Sequence, residues 1–76
     1  MRTIEFKMER EGILEVGERI SVTEGILPSS YYYTIDPSRA MSGNLAFRER
    51  LKVKEGTVVD IQKNDQGFYV SVIFDE

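Results

Sequence analysis

Hydrophobic residues recur at every second position in the last part of the chain. The four that alternate with other residues are Phe68, Val70, Val72 and Phe74. This spacing is typical of a β-strand with one buried face, because successive side chains of a strand point to opposite faces. A β-branched run at 57–61 precedes it, and the turn-forming residues 64–67 (Asn-Asp-Gln-Gly) separate the two. The pattern predicts a β-hairpin formed by residues 56–63 and 67–75.

The same alternation appears near the beginning of the chain. Apolar residues at 4, 6 and 8 predict a half-buried strand in residues 3–8. Glu11-Gly12 predicts a turn that leads into a second apolar run at 13–16. Gly17 interrupts this run as a bulge or a tight bend, and the alternation resumes at 20–22.

The middle of the chain has a less regular pattern. Gly25 and Pro28 are expected to end the preceding strand region, and the Tyr-Tyr-Tyr-Thr-Ile run at 31–35 predicts another short strand. Asp36-Pro37 begins either a helix or a type I turn. Residues 45–51 contain good helix formers and predict one short helix or helical turn.

These elements predict a single, mostly β domain over residues 1–76, with about five short strands in a small closed or half-open barrel. From Arg50 onward the pattern Arg-Leu-Lys-x-x-Glu-Gly-x-Val-x-x-Ile, followed by Phe-Tyr-Val-x-Val-x-Phe-Asp, resembles the hairpin of SH3-like small barrels. It also resembles short bacterial proteins whose function is not established. The resemblance covers about a third of the chain, and it implies a fold without implying an activity.

The chain contains neither histidine nor cysteine. It therefore lacks the usual general base at neutral pH, the thiolate nucleophile and the standard zinc ligands, which predicts a protein that is not an enzyme and binds no cofactor. Asp60, Gln62 and Asn64 resemble the start of a calcium loop, but Asp65 stands where that loop requires glycine, so a hairpin is favoured. The absence of disulfides favours a cytoplasmic location, and no apolar run approaches the roughly 20 residues of a membrane span.

Charge is distributed unevenly along the sequence. The formal net charge is −3 over the 76 residues. Residues 31–54 hold five basic and two acidic side chains, whereas residues 55–76 hold one basic and five acidic side chains. The middle of the chain is therefore basic within an acidic protein, and it can attract anions locally.

The tyrosines at 31–33 lie in this basic stretch. Neighbouring side chains of a strand point to opposite faces, so either Tyr32 is buried with Tyr31 and Tyr33 exposed, or the reverse. An exposed tyrosine suits a binding surface. The alternative is that the rings close one end or edge of the barrel.

The combination of aromatic and basic residues predicts a binding surface for an unknown protein partner. The candidate contact residues are Tyr31, Tyr33, Arg39, Phe47, Arg48, Arg50 and Lys52. Single-stranded nucleic acid is an alternative ligand, which the net charge disfavours, and self-association is a third possibility. The alternative for the basic side chains is a solvated face, or ion pairs with the acidic ends of the chain.

Overall fold

A computed structural model describes residues 1–8, 12–37 and 39–76 of the chain. Within these residues it contains six β-strands and a single turn of 3-10 helix. The strands are β1 (Arg2–Met8), β2 (Arg19–Leu27), β3 (Ser30–Ile35), β4 (Ala40–Ser42), β5 (Glu55–Asn64) and β6 (Gly67–Phe74), and the 3-10 turn spans Phe47–Glu49.

The strands form a closed antiparallel barrel in the order β1-β4-β3-β2-β5-β6. Closure is made by β1 and β6, which pair along their whole length from Arg2 opposite Phe74 to Met8 opposite Phe68. The mostly β small barrel is therefore confirmed, in its closed rather than its half-open form. The predicted hairpin is also confirmed, as β5 and β6. The strand beyond the predicted five is β4, a three-residue element between β1 and β3.

The core consists of the inward-facing residues of the alternating patterns. Those that are almost fully buried are Phe6, Tyr33, Ile35, Val58, Val70, Val72 and Phe74. The rings of Phe6 on β1 and Phe74 on β6 lie 6.3 Å apart, so aromatic packing reinforces the strand pair that closes the barrel. Burial of these apolar side chains supplies most of the driving force for folding.

The predicted strand at 13–16 does not form. Leu14 is buried, but the segment is irregular and leads into a turn. Gly17 has a φ of 92°, a left-handed conformation that fits the predicted bend, and its N–H donates to the carbonyl of Val58 at 2.7 Å. The predicted turn at Glu11-Gly12 falls partly outside the described residues, because Glu11 is not among them.

Gly25 does not end a strand, contrary to the prediction. It lies inside β2, which continues to Leu27 before a turn at Pro28. The ring of Tyr32, its register neighbour on β3, covers Gly25 so closely that a Cβ atom there would lie 2.1 Å from the ring. The glycine is therefore a place where an aromatic ring packs onto the strand backbone.

Two segments in the middle of the chain, for which the sequence left helix and turn as alternatives, both form turns. Asp36-Pro37 has a cis peptide bond and lies in a turn between β3 and β4, not at the start of a helix. The helix or helical turn predicted at 45–51 is one turn of 3-10 helix, which ends because Arg50 adopts an extended conformation. No helix in the described part of the chain is long and apolar enough to cross a lipid bilayer.

Gly56 on β5 lies close against the backbone and side chains of β6. A Cβ atom at this position would lie 2.7 Å from the carbonyl oxygen of Ile73 and from the side chain of Val72. Because these neighbours are backbone and core atoms, we expect Gly56→Ala to lower the free energy of unfolding by about 1–3 kcal/mol in urea denaturation. Gly43→Ala is the matched control, since its Cβ would meet nothing within 4 Å. Equal stability of the two variants would contradict the close packing.

Candidate functional site

The segment from Gly43 to Lys54 crosses one end of the barrel. At its beginning, Leu45 and Tyr31 exchange backbone hydrogen bonds of 2.7 and 2.8 Å. At its end, the carbonyl of Lys54 accepts from the N–H of Val22 at 2.8 Å. Between these points the buried side chain of Leu51 packs against the core. The segment is therefore fixed to both β2 and β3.

The hydroxyl of Tyr33 attaches this segment to the barrel interior. It accepts a hydrogen bond of 2.8 Å from the N–H of Leu51 and donates one of 2.9 Å to Oε1 of Glu24. Burial, together with the nearby Glu24 carboxylate, raises the pKa of Tyr33, so the hydroxyl stays protonated as this geometry requires.

Glu24 is a charged residue on the inward-facing side of β2. It shares that side with Ile20 and Val22, but it lies at the barrel end, where it meets Arg50. The guanidinium of Arg50 binds both carboxylate oxygens, with Nε at 2.9 Å and a terminal nitrogen at 3.0 Å. The hydrogen bond from Arg50 is the main reason that the pKa of Glu24 is lowered. The pair holds Arg50 in one orientation.

Arg50 in turn lies on the ring of Tyr31, and Phe47 packs against the same ring. The guanidinium carbon is 4.9 Å from the ring centroid of Tyr31, a distance typical of a cation–π contact. The Phe47 ring meets Tyr31 edge-on, with centroids 5.1 Å apart. Ile26 is the cross-strand partner of Tyr31, so its side chain extends this apolar group.

Parts of this apolar group are exposed to solvent. The exposed fraction is 52% for Phe47 and 69% for Ile26. A cavity of about 480 Å³, open to solvent, lies beside Phe47. Glu24 and Leu51 line this cavity together with four basic side chains: Arg48, Arg50, Lys52 and Lys54. We call Ile26, Tyr31, Phe47 and these four basic residues the aromatic–basic surface.

Five of the seven predicted contact residues belong to this surface: Tyr31, Phe47, Arg48, Arg50 and Lys52. Arg39 does not, because it follows the opposite end of β3. There its guanidinium forms an ion pair with Glu18 at 2.5 Å and donates to the carbonyl of Asp36 at 2.9 Å. Arg39 thus serves to hold the turn between β3 and β4 against the start of β2.

The prediction that Tyr33 contacts a partner needs correction. Its side chain is only 1% exposed and lies in the core. Tyr31 and Tyr33 do share a face, as strand geometry requires, but it is the inner face of the barrel. Tyr32 is on the outer face, over Gly25. Of the two tyrosines predicted as contacts, only Tyr31, which is half-buried at the barrel end, is accessible to a partner.

Residues 60–64, which resemble the start of a calcium loop, form part of the hairpin as the end of β5. Gln62 donates to the carboxylate of Asp60 at 3.1 Å, and the side chain of Asn64 accepts from the N–H of Gln66 at 2.8 Å. The hydrogen bond of Asn64 stabilises the turn between β5 and β6. The described residues contain no group of three or more acidic side chains arranged to hold a metal ion.

Two residues of this region, Glu24 and Ile26, were absent from the sequence prediction, whereas Lys54 was already counted in the basic stretch 31–54. Glu24 carried a usable signal, because a charged residue at an inward-facing strand position needs a partner. Ile26 carried none, since its alternation with Ile20 and Val22 is that of a buried residue. Its exposure arises because β2 extends beyond the barrel end.

Comparison of the chain with protein-family models, with curated proteins and with solved structures gives no match. The function must therefore be argued from the aromatic–basic surface itself.

The Tyr33 hydroxyl provides a direct test of how the surface is held. Tyr33→Phe leaves the buried N–H of Leu51 without its acceptor, and we expect the free energy of unfolding to fall by about 1–3 kcal/mol in urea denaturation. Tyr32→Phe is the matched control, because among the described residues the tyrosine-hydroxyl hydrogen bonds are those of Tyr33 and none involves Tyr32. A Tyr33→Phe variant as stable as the control would refute the anchoring role.

The lowered pKa of Glu24 predicts a defined dependence of stability on pH. Because the folded-state pKa lies below its ordinary value of 4.5, the stabilisation is present above that value and is lost as pH falls through the folded-state pKa. We expect the stability difference between the wild type and Glu24→Gln to be largest near neutral pH and to shrink below about pH 4. Urea denaturation across this range measures it. A difference that is constant with pH would contradict the assignment.

Proposed function

We propose that the protein is a non-catalytic binding module that recognises another protein through its aromatic–basic surface. The observation that carries this proposal is the exposure of Phe47 and Ile26 beside the half-buried ring of Tyr31. Large apolar and aromatic side chains with neighbouring arginine are the residues that contribute most at protein interfaces.

The aromatic part of the surface is held in place by contacts within the protein. Tyr31 is held by Phe47 and Arg50, and Arg50 is held by Glu24. Binding therefore requires less loss of side-chain freedom than at a surface of mobile side chains. This organisation supports recognition of a partner more than it supports simple coverage of the barrel end.

Single-stranded nucleic acid is a less favoured ligand. Proteins that bind it stack successive bases on several exposed aromatic rings, whereas Phe47 is the one largely exposed ring of this surface and the ring of Tyr31 is already in contact with Arg50 and Phe47. Self-association through an open strand edge is not supported either, since the barrel is closed.

Removal of the exposed aromatic ring tests the proposal. We expect Phe47→Ser to weaken partner binding more than about tenfold, because it removes a central aromatic contact. The measurement is recovery of interacting proteins from an extract of the source cells on immobilised wild type and variant. Val16→Ser is the matched control. Val16 is 62% exposed and lies in the turn before β2, outside the aromatic–basic surface.

The expected outcome is a set of proteins retained by the wild type and by Val16→Ser but lost from Phe47→Ser. Equal recovery on all three would refute the proposal, provided that Phe47→Ser unfolds at the same urea concentration as the wild type. Sedimentation over a range of concentrations separates this outcome from self-association.

A further inference from the structure

The basic side chains of the described residues differ in whether they have an acidic partner. Four arginines form ion pairs with carboxylates: Arg2 with Glu76, Arg19 with Glu55, Arg39 with Glu18 and Arg50 with Glu24. In contrast, the side chains of Arg48, Lys52 and Lys54 form neither an ion pair nor a hydrogen bond with any described residue. All three line the cavity beside Phe47.

The carboxylates near this cavity are already engaged by other donors. Both oxygens of Glu24 accept from Arg50, and one of them also accepts from Tyr33. Glu49 accepts from the N–H of Ala46 at 3.2 Å. Glu76 accepts from the N–H of Lys52 at 2.7 Å and from Arg2 at 3.1 Å.

The positive charge of Arg48 and Lys52 is therefore not neutralised by contacts within the described chain, whereas Lys54 lies near enough to the Glu24 carboxylate to help lower its pKa. Hydrogen bonds from Lys52, Val53 and Arg2 outweigh partial burial and lower the pKa of Glu76, so this carboxylate stays ionised and committed to them. A cavity lined by cations without partners attracts an anionic ligand.

The ligand must also have an apolar part, because Phe47 stands exposed next to these cations. We infer that the ligand is an acidic segment of another protein, with Asp or Glu side chains placed beside a large apolar side chain. The carboxylates bind Arg48, Lys52 and Lys54, while the apolar side chain packs on Phe47. This inference rests on the proposed function and adds the chemistry of the partner.

Synthetic peptides test the inference directly. The probe is a short fluorescein-labelled peptide of Glu and Asp residues around a central Leu-Phe pair. In one comparison peptide Gln and Asn replace the acids, and in another Ser replaces the Leu-Phe pair. We expect the acidic peptide with its apolar pair to bind about tenfold tighter than either comparison peptide in fluorescence anisotropy. Added salt should weaken its binding.

Substitutions of the cations separate their role from general charge. We expect Arg48→Gln and Lys52→Gln each to weaken binding of the acidic peptide about two- to fivefold, as exposed ion pairs do. Lys7→Gln is the matched control, since Lys7 lies on β1 against the ring of Tyr69. Its binding should equal that of the wild type, because the same charge is removed away from the cavity.

Three results would overturn the inference. One is equal binding of the acidic and the amide peptides, and another is an equal effect of Lys7→Gln and Lys52→Gln. The third is tighter binding of a labelled oligothymidine than of the acidic peptide. In each case the proposed function still stands if Phe47→Ser loses the proteins that Val16→Ser retains, so the two failures can be told apart.

Discussion

The position of the whole aromatic–basic surface depends on the hydrogen bonds made by the Tyr33 hydroxyl inside the barrel end. The segment 43–54 contains only one 3-10 turn, so its backbone has few regular partners. Tyr33 accepts from Leu51 within this segment and donates to Glu24 on β2. Glu24 orients Arg50, and Arg50 lies on Tyr31. A buried hydroxyl thereby sets the geometry of a group of side chains at the surface.

The same region shows two uses of positive charge. Arg50 is committed to the structure, because its planar guanidinium binds both oxygens of Glu24 and covers an aromatic ring at the same time. Arg48 and Lys52 are directed to solvent without such contacts. Within one short segment, Arg50 thus holds the surface in place, whereas Arg48 and Lys52 remain available to bind an anionic ligand.

Local sequence patterns predicted the fold well and the surface only in part. Uninterrupted alternation in β1 and β6 and the turn residues before Gly67 were enough to predict those strands. Alternation also shows that Tyr31 and Tyr33 share a face, but not which face points inward. That choice depends on pairing with Glu24 and Gly25 of β2, as does the contact between Arg50 and Glu24, 26 positions apart. No local pattern marks where the barrel ends, so the exposure of Ile26 could not be read from sequence.

Closure of the barrel by β1 and β6 has a consequence for folding kinetics. Arg2 and Glu76 are 74 positions apart, yet they form an ion pair beside the paired strand ends. The core is sealed only after these distant strands meet, and the entropy of closing such a long loop is lost before the contacts form. Small barrels with this kind of topology have a high relative contact order and fold in about milliseconds to seconds. A nascent chain can build the β2–β3 pair early, but its core remains open to water until β6 has been synthesised.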